Sequence, residues 1–279
     1  TYRGDLGNGL VRRWSTAADQ AKIAQCLGTV FRPSADDPLN VRVMDESRIM
    51  MSTAYPFMGP GDFALVEDTS HPDRLIVACT CYWRHTWSYG GIPFGVGRPE
   101  MVATLPAYRG RGLVRALFEM FHARSAARGD LVQAITGIPY FYRQFGYEYV
   151  LDLEGNRLVD VAAIPARKED AAETCMLREA TFADIPQLMA LYDQERSRSL
   201  VWHEVDESYW HAHVGSWDDP AVQGKDPTQI GLFGRLNMIV DAEGTVIQRG
   251  GRTGPNLFGI AGADVASVED FRYSESLLA

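Results

Sequence analysis

The sequence predicts an α+β fold of mixed α/β character, carried as two related units. Three observations lead there. A short apolar run, Met101–Leu105, passes through a turn into a helical pattern that begins at Leu113. Around it, apolar runs with β-branched members are separated by glycine- and proline-rich breaks. The pattern that starts the chain also starts again 165 residues later, with Arg13 answered by Arg178.

Leu10–Trp14 reads as a first strand. Ser15 and Thr16 offer helix caps, with Asp19 in the first turn. Ile23, Leu27, Val30 and Phe31 then mark one face of a helix. A polar loop to Asn40 leads to a second helix over Met44–Tyr55, which the prolines and glycines at 56–61 break. Phe63–Glu67 and Leu75–Thr86 read as two strands joined by a polar turn, the second ending in the aromatics Tyr82, Trp83 and Trp87. Gly90, Gly91, Pro93, Gly95 and Gly97 read as a loop. Met101–Leu105 suits a buried strand, which Pro106 ends because it has no amide proton. From there the apolar period becomes helical, at Leu113, Ala116, Leu117, Met120 and Phe121. Leu131–Ile135 and Glu148–Leu153 read as further strands.

A polar, alanine-rich stretch at 155–175 reads as a linker between a unit at 1–154 and a second at 176–279. Arg13-Trp-Ser-Thr-Ala-Ala-Asp19 and Arg178-Glu-Ala-Thr-Phe-Ala-Asp184 agree at four of seven positions. Asn237–Asp241 and Thr245–Gln248 mirror the earlier strand pair, as a duplication would require. Arg249-Gly-Gly-Arg-Thr-Gly254 echoes the central turn, but no amphipathic helix follows, so the second unit reads as a degenerate copy.

Composition narrows the function classes. The net charge of −9 argues against nucleic acid as a partner. No apolar run approaches the length of a membrane span, and no signal peptide is visible, so neither a membrane nor secretion is expected. The cysteines, at 26, 79, 81 and 175, form no Cys-x-x-Cys pair; no metal is expected, and reduced thiols suit a cytoplasmic protein. A homo-oligomer is compatible with all of this.

The turn at Arg109-Gly-Arg-Gly112 carries the chemistry. The first amides of a helix lack partners within it, and the helix dipole adds positive charge there. Glycines let a ligand approach the backbone, and Arg109 and Arg111 add full charges. The product suits a pyrophosphate or similar polyanion. A P-loop is absent, and a dinucleotide fingerprint fails because Arg115 stands where its third glycine belongs.

The segment resembles motif A of the GCN5-related N-acetyltransferases (GNAT): a strand ending near proline, then Arg-x-x-Gly-x-Gly/Ala opening a helix. Here that is Arg109-x-x-Gly112-x-Val114, with valine at the last small position. Pro139-Tyr-Phe-Tyr142-Arg-Gln-Phe-Gly146-Tyr147 resembles the family's motif B. The wording of both blocks is most similar to the Eis-like branch, whose tandem domains precede a sterol-carrier-like domain with no counterpart in these residues.

The resemblance implies a mixed, mostly antiparallel sheet flanked by helices, and acetyl-CoA as co-substrate. It implies an acetyl transfer directly to a primary amine of a small molecule or peptide. Arg109, Gly110, Arg111, Gly112 and Leu113 would hold the pyrophosphate. Val102, Ala103 and Thr104 would line the pantetheine arm and thioester. Tyr142 is the expected general acid. The general base is left open between Glu100, at the start of the strand where some GNAT enzymes place a glutamate, His85 on the preceding strand, and a relayed water. Two rival readings stand beside this one: a CoA-binding regulatory or assembly module without turnover, and a nucleotide site in some other transferase.

Overall fold

The computed structural model describes residues 3–52, 55–138, 140–151, 175–197, 199–215, 236–241 and 243–246. The chain opens with β1 (Arg3–Gly7), β2 (Leu10–Trp14), α1 (Gln20–Val30) and α2 (Val41–Met50). Then come β3 (Phe63–Asp68), β4 (Leu75–Tyr89), β5 (Ile92–Thr104), α3 (Leu113–Ala127) and β6 (Val132–Gln133). The second half contributes β7 (Met176–Glu179), α4 (Ile185–Arg196), β8 (Val201–His203), α5 (Glu207–Gly215) and β9 (Asn237–Val240).

One sheet runs in the order β1-β2-β3-β4-β5-β6, with β8 also on β4. It is antiparallel apart from the β5–β6 pair, so it is the mixed, mostly antiparallel sheet expected. Both faces are covered. Phe63 and Leu65 of β3 join Ile23, Leu27 and Met50 on the α1–α2 side, while Ala64 and Val66 join Leu113, Leu117 and Phe121 on the α3 side. All four β3 residues are fully buried, which explains why that strand reads as a continuous apolar run.

The glycine-rich segment is not a loop. Gly90 and Gly91, with φ of +55° and +84°, form a two-residue hairpin between Tyr89 and Ile92, and the rest lies inside β5. Gly95 and Gly97 are there for close approach: a Cβ on Gly97 would come within 2.8 Å of Ser125 Oγ, and one on Gly95 within 2.8 Å of Asp130 Oδ1. Asp130 also accepts the buried Tyr82 hydroxyl and Ser125 Oγ, which ties α3 to the sheet. Tyr82 is therefore part of the core.

Two other expectations change. The strand at 131–135 shrinks to β6, two residues long, and residues 148–151 are not a strand. The linker lies outside the described residues apart from Cys175, as does the turn at 249–254. The start of the second half is described. Arg178 clamps Asp184 through two bonds of 2.8 and 2.6 Å, and Thr181 closes a capping box with that aspartate. Arg13, Asp19 and Thr16 make the same arrangement, with two bonds of 2.8 Å. A two-stranded sheet of β7 and β9 follows the second device, and β8 crosses to the first sheet.

Candidate active site

The site is built where β5 loses its neighbour. Leu131 N–H donates to Gly95 O and Ala134 N–H to Gly97 O, and there the pairing of β5 with the segment after α3 ends. Beyond it, Glu100–Thr104 stays paired with β4 only among the described residues. Leu105 N–H donates to Val77 O on β4 at 2.9 Å. Strand alternation then turns the backbone groups of Ala103 toward β4 and those of Val102 and Thr104 toward the open edge. Ala103 differs from its expected role accordingly: it lies in the ladder opposite Cys79, with its side chain buried.

The open edge leads into the turn. Tyr108 anchors it, its hydroxyl donating to Asp68 Oδ2 at 2.7 Å with the Arg111 guanidinium 4.8 Å over its ring. Gly110 and Gly112 have φ of +75° and +71°, a conformation that costs any residue with a Cβ. Nothing lies within 4 Å of a Cβ built on either, so the space above the turn is open. The first helical bond of α3 runs from Ala116 N–H to Gly112 O, so the amides of Leu113, Val114 and Arg115 point out of the helix end. Arg109 bonds Thr104 O at 3.4 Å and Arg111 bonds Ala107 O at 3.0 Å, which leaves both guanidinium groups exposed over the turn. This cradle fits a diphosphate.

Tyr142 and Glu100, 42 positions apart, meet across Thr136 and Gly137. The Thr136 hydroxyl lies 3.5 Å from both carboxylate oxygens of Glu100. The next residue, Gly137, lies so close under the Tyr142 ring that a Cβ there would come within 2.5 Å of Cε2. Phe118 stacks on Tyr142 at 5.8 Å. Burial first, and then the charge of Glu100, pushes the Tyr142 phenol up to about 12. Burial raises the Glu100 carboxyl, opposed by Arg98, whose Nη2 donates to Oε1 at 2.5 Å.

Residues 12–150 match the family described as an acetyltransferase (GNAT) domain. That stretch is a GNAT acetyltransferase domain. Among solved structures, N-myristoyltransferase of Saccharomyces cerevisiae with bound myristoyl-CoA shares the fold: TM-score 0.59, 10% identity, 88% of this chain and 60% of that one. A protein of Enterococcus faecalis described as a probable N-acyltransferase gives a TM-score of 0.50 at 13% identity, over 85% of this chain and 53% of that one. A stretch of 42 residues, 15% of the chain, is 48% identical to cytochrome c-550 of Paracoccus versutus. The chain spans 27% of that cytochrome's length, and the Cys-x-x-Cys-His to which c-type haem attaches does not occur in this sequence.

Within the GNAT domain, His85 is unsuited to act as the base. It is buried under a stacked His203 at 4.1 Å, and burial, with His203 and Arg98 next, brings its pKa down to about 2. Motif analysis missed Arg98, which holds Glu100; a charged pair two residues apart on one strand face is the only sequence trace of it. No helix among the described residues is long and apolar enough to cross a membrane.

Proposed function

We propose that the GNAT domain transfers acetyl from acetyl-CoA to a primary amine. The single observation behind this is the continuity of the site: the free edge at Val102 and Thr104 runs into the glycine turn at one end and lies beside Glu100 and Tyr142 at the other. N-myristoyltransferase, which shares the fold, carries an acyl-CoA in its solved structure. Acetyl-CoA supplies an acyl group already activated as a thioester. The turn at Arg109–Leu113 holds the diphosphate through first-turn amides and two guanidinium groups. The outward amides of the β5 edge bind the pantetheine arm and polarise the thioester oxygen, a donor commonly worth about 3 kcal/mol. Glu100 takes a proton from the amine as the C–N bond forms. Tyr142 gives its proton to sulfur as the C–S bond breaks, so each proton has a named origin and destination.

We read 155–175 as a linker and 176–279 as a degenerate second copy, as in the Eis-like branch. The paired Arg–Thr–Asp devices at 13–19 and 178–184 support that reading. The four cysteines are free thiols, which fits the cytoplasm. The test is thiol release from acetyl-CoA over a panel of amines, with acetyl-CoA affinity measured in parallel. Tight binding without release on any amine would return the domain to the class of CoA-binding modules.

A further inference from the structure

A second cavity lies beside β4, next to β8. It is a 440 Å³ cleft walled by Phe57, Arg84, His85, His203, Glu204 and Asp206, so both halves of the chain build it. His85 is only 6% exposed, yet neither ring nitrogen has a hydrogen-bond partner among the described residues. A neutral imidazole carries one donor and one acceptor, and a buried polar atom left unpaired is destabilising.

His85 in this cleft lies on the sheet face that carries Glu100. Cys81 pairs with Glu100, Trp83 with Arg98 and His85 with Val96, so these side chains share one face. Arg98 bonds Glu100 and lies 5.3 Å from the centre of the Trp83 ring, which meets His85 edge-on at 4.7 Å. From Glu100 to Val96 is four strand residues, about 13 Å.

We infer that this cleft receives the far end of a peptide acceptor whose free N-terminal amine lies at Glu100. The inference rests on the acetyltransferase reading and adds the acceptor class. A span of about 13 Å is roughly four residues of extended chain. Each peptide unit offers one N–H and one C=O, and the walls offer both complements. His85 lines the cleft with one donor and one acceptor, neither with a partner among the described residues, and Arg84 adds exposed donors. A polyamine offers only donors and positive charge, and would face Arg84 and Arg98. Nor are the carboxylates idle anions: Glu204 takes Arg196 at 2.8 Å and Trp202 Nε1 at 2.9 Å, while Asp206 takes the Ser208 hydroxyl at 2.5 Å and the Tyr209 amide at 3.2 Å.

The test uses the full chain, acetyl-CoA and three acceptors: glycinamide, the tetrapeptide amide Gly-Ala-Ala-Ala, and spermidine. Glycinamide is too short to reach His85. The tetrapeptide is expected to exceed glycinamide about tenfold in kcat/KM, through KM, the yield of one or two added hydrogen bonds. His85→Leu should bring that ratio toward one, and Arg84→Gln, at an exposed position, should lower it in the same direction. A wild-type ratio near one, a preference for spermidine, or a ratio unchanged in both variants would overturn the inference. If no amine is acetylated, the transferase reading fails on its own, and calorimetry with the tetrapeptide decides the cleft. Binding weakened by either variant keeps it; no binding removes it.

Discussion

Replacing Tyr142 with Phe removes one hydroxyl from the site and nothing else. The ring is held by Phe118 at 5.8 Å, Phe141 at 5.0 Å and Tyr147 at 6.2 Å, and by the backbone of Gly137 beneath it. None of those contacts uses the oxygen. The fold should therefore lose well under about 1 kcal/mol, a change of at most a few degrees in Tm for a domain of this size. The rate should change far more. A positioned general acid contributes roughly 10²- to 10⁴-fold, or about 3–5 kcal/mol. The lower end is expected here, because a phenol pushed up to about 12 is a weaker acid than an unperturbed one. It is, in compensation, fully protonated at any ordinary assay pH. The assay is thiol release at saturating acetyl-CoA, with a melting curve and acetyl-CoA affinity on the same preparation. A turnover within about threefold of the parent, at unchanged Tm, would refute the acid role, since so small a loss lies below the range for a positioned acid.

Glu100→Gln should cost at least about tenfold in kcat/KM and erase the limb that rises with pH through the burial-raised Glu100 pKa; the same limb surviving in the variant would assign it elsewhere. Gly97→Ala should destabilise by about 1–3 kcal/mol in denaturant melts, because its Cβ would sit 2.8 Å from Ser125 Oγ and 3.1 Å from Tyr82 Cε2. Acid should weaken the fold through the stacked histidines. Their folded pKa values are lowered to about 2 and about 4, so their contribution is present above the unfolded value of 6.5 and is lost as pH falls below it. Near pH 5 the unfolded chain binds more protons at these two sites than the folded one, so stability slopes downward as pH falls. His85→Phe should flatten that slope in denaturant titrations across pH 4–7, and an unchanged slope would show that other groups set it.

The parts of the site fixed by local chemistry were legible in the sequence. Gly112 opens α3 in the left-handed conformation that the motif demands. Glu100 and Tyr142, singled out on separate grounds, come to lie either side of Thr136 and Gly137. What could not be read depended on partners distant in the chain. Gly95 and Gly97 carry the composition of a loop, but the reason for them is Ser125 and Asp130 on and after α3. The two-residue β6 follows from how briefly β5 offers it an edge. The pairing of β8 with β4 joins residues more than a hundred positions apart, and no local periodicity announces it. His85 is one candidate base on its place in the preceding strand and its near-neutral titration; the stacked His203 that rules it out comes from the second half.

One residue accounts for the geometry on which the chemistry depends. Before the bulge, β5 turns the carbonyls of odd-numbered residues, Gly95 and Gly97, toward the segment after α3. After it, Leu105 N–H faces β4 and the outward backbone groups belong to even-numbered residues, Val102 and Thr104. The parity changes because Cys79 and Cys81 of β4, two apart, pair with Ala103 and Glu100, three apart. The extra residue is accommodated at Met101, which takes φ of +52°. A strand that continued without it would keep offering the same parity to β6 and extend that ladder. With it, pairing stops, an edge that no strand covers among the described residues is left beside the glycine turn, and Glu100 stays on the face it shares with Arg98 and Thr136. The strained backbone at Met101 is thus what converts the end of an ordinary βαβ unit into a groove with a carboxylate at its side.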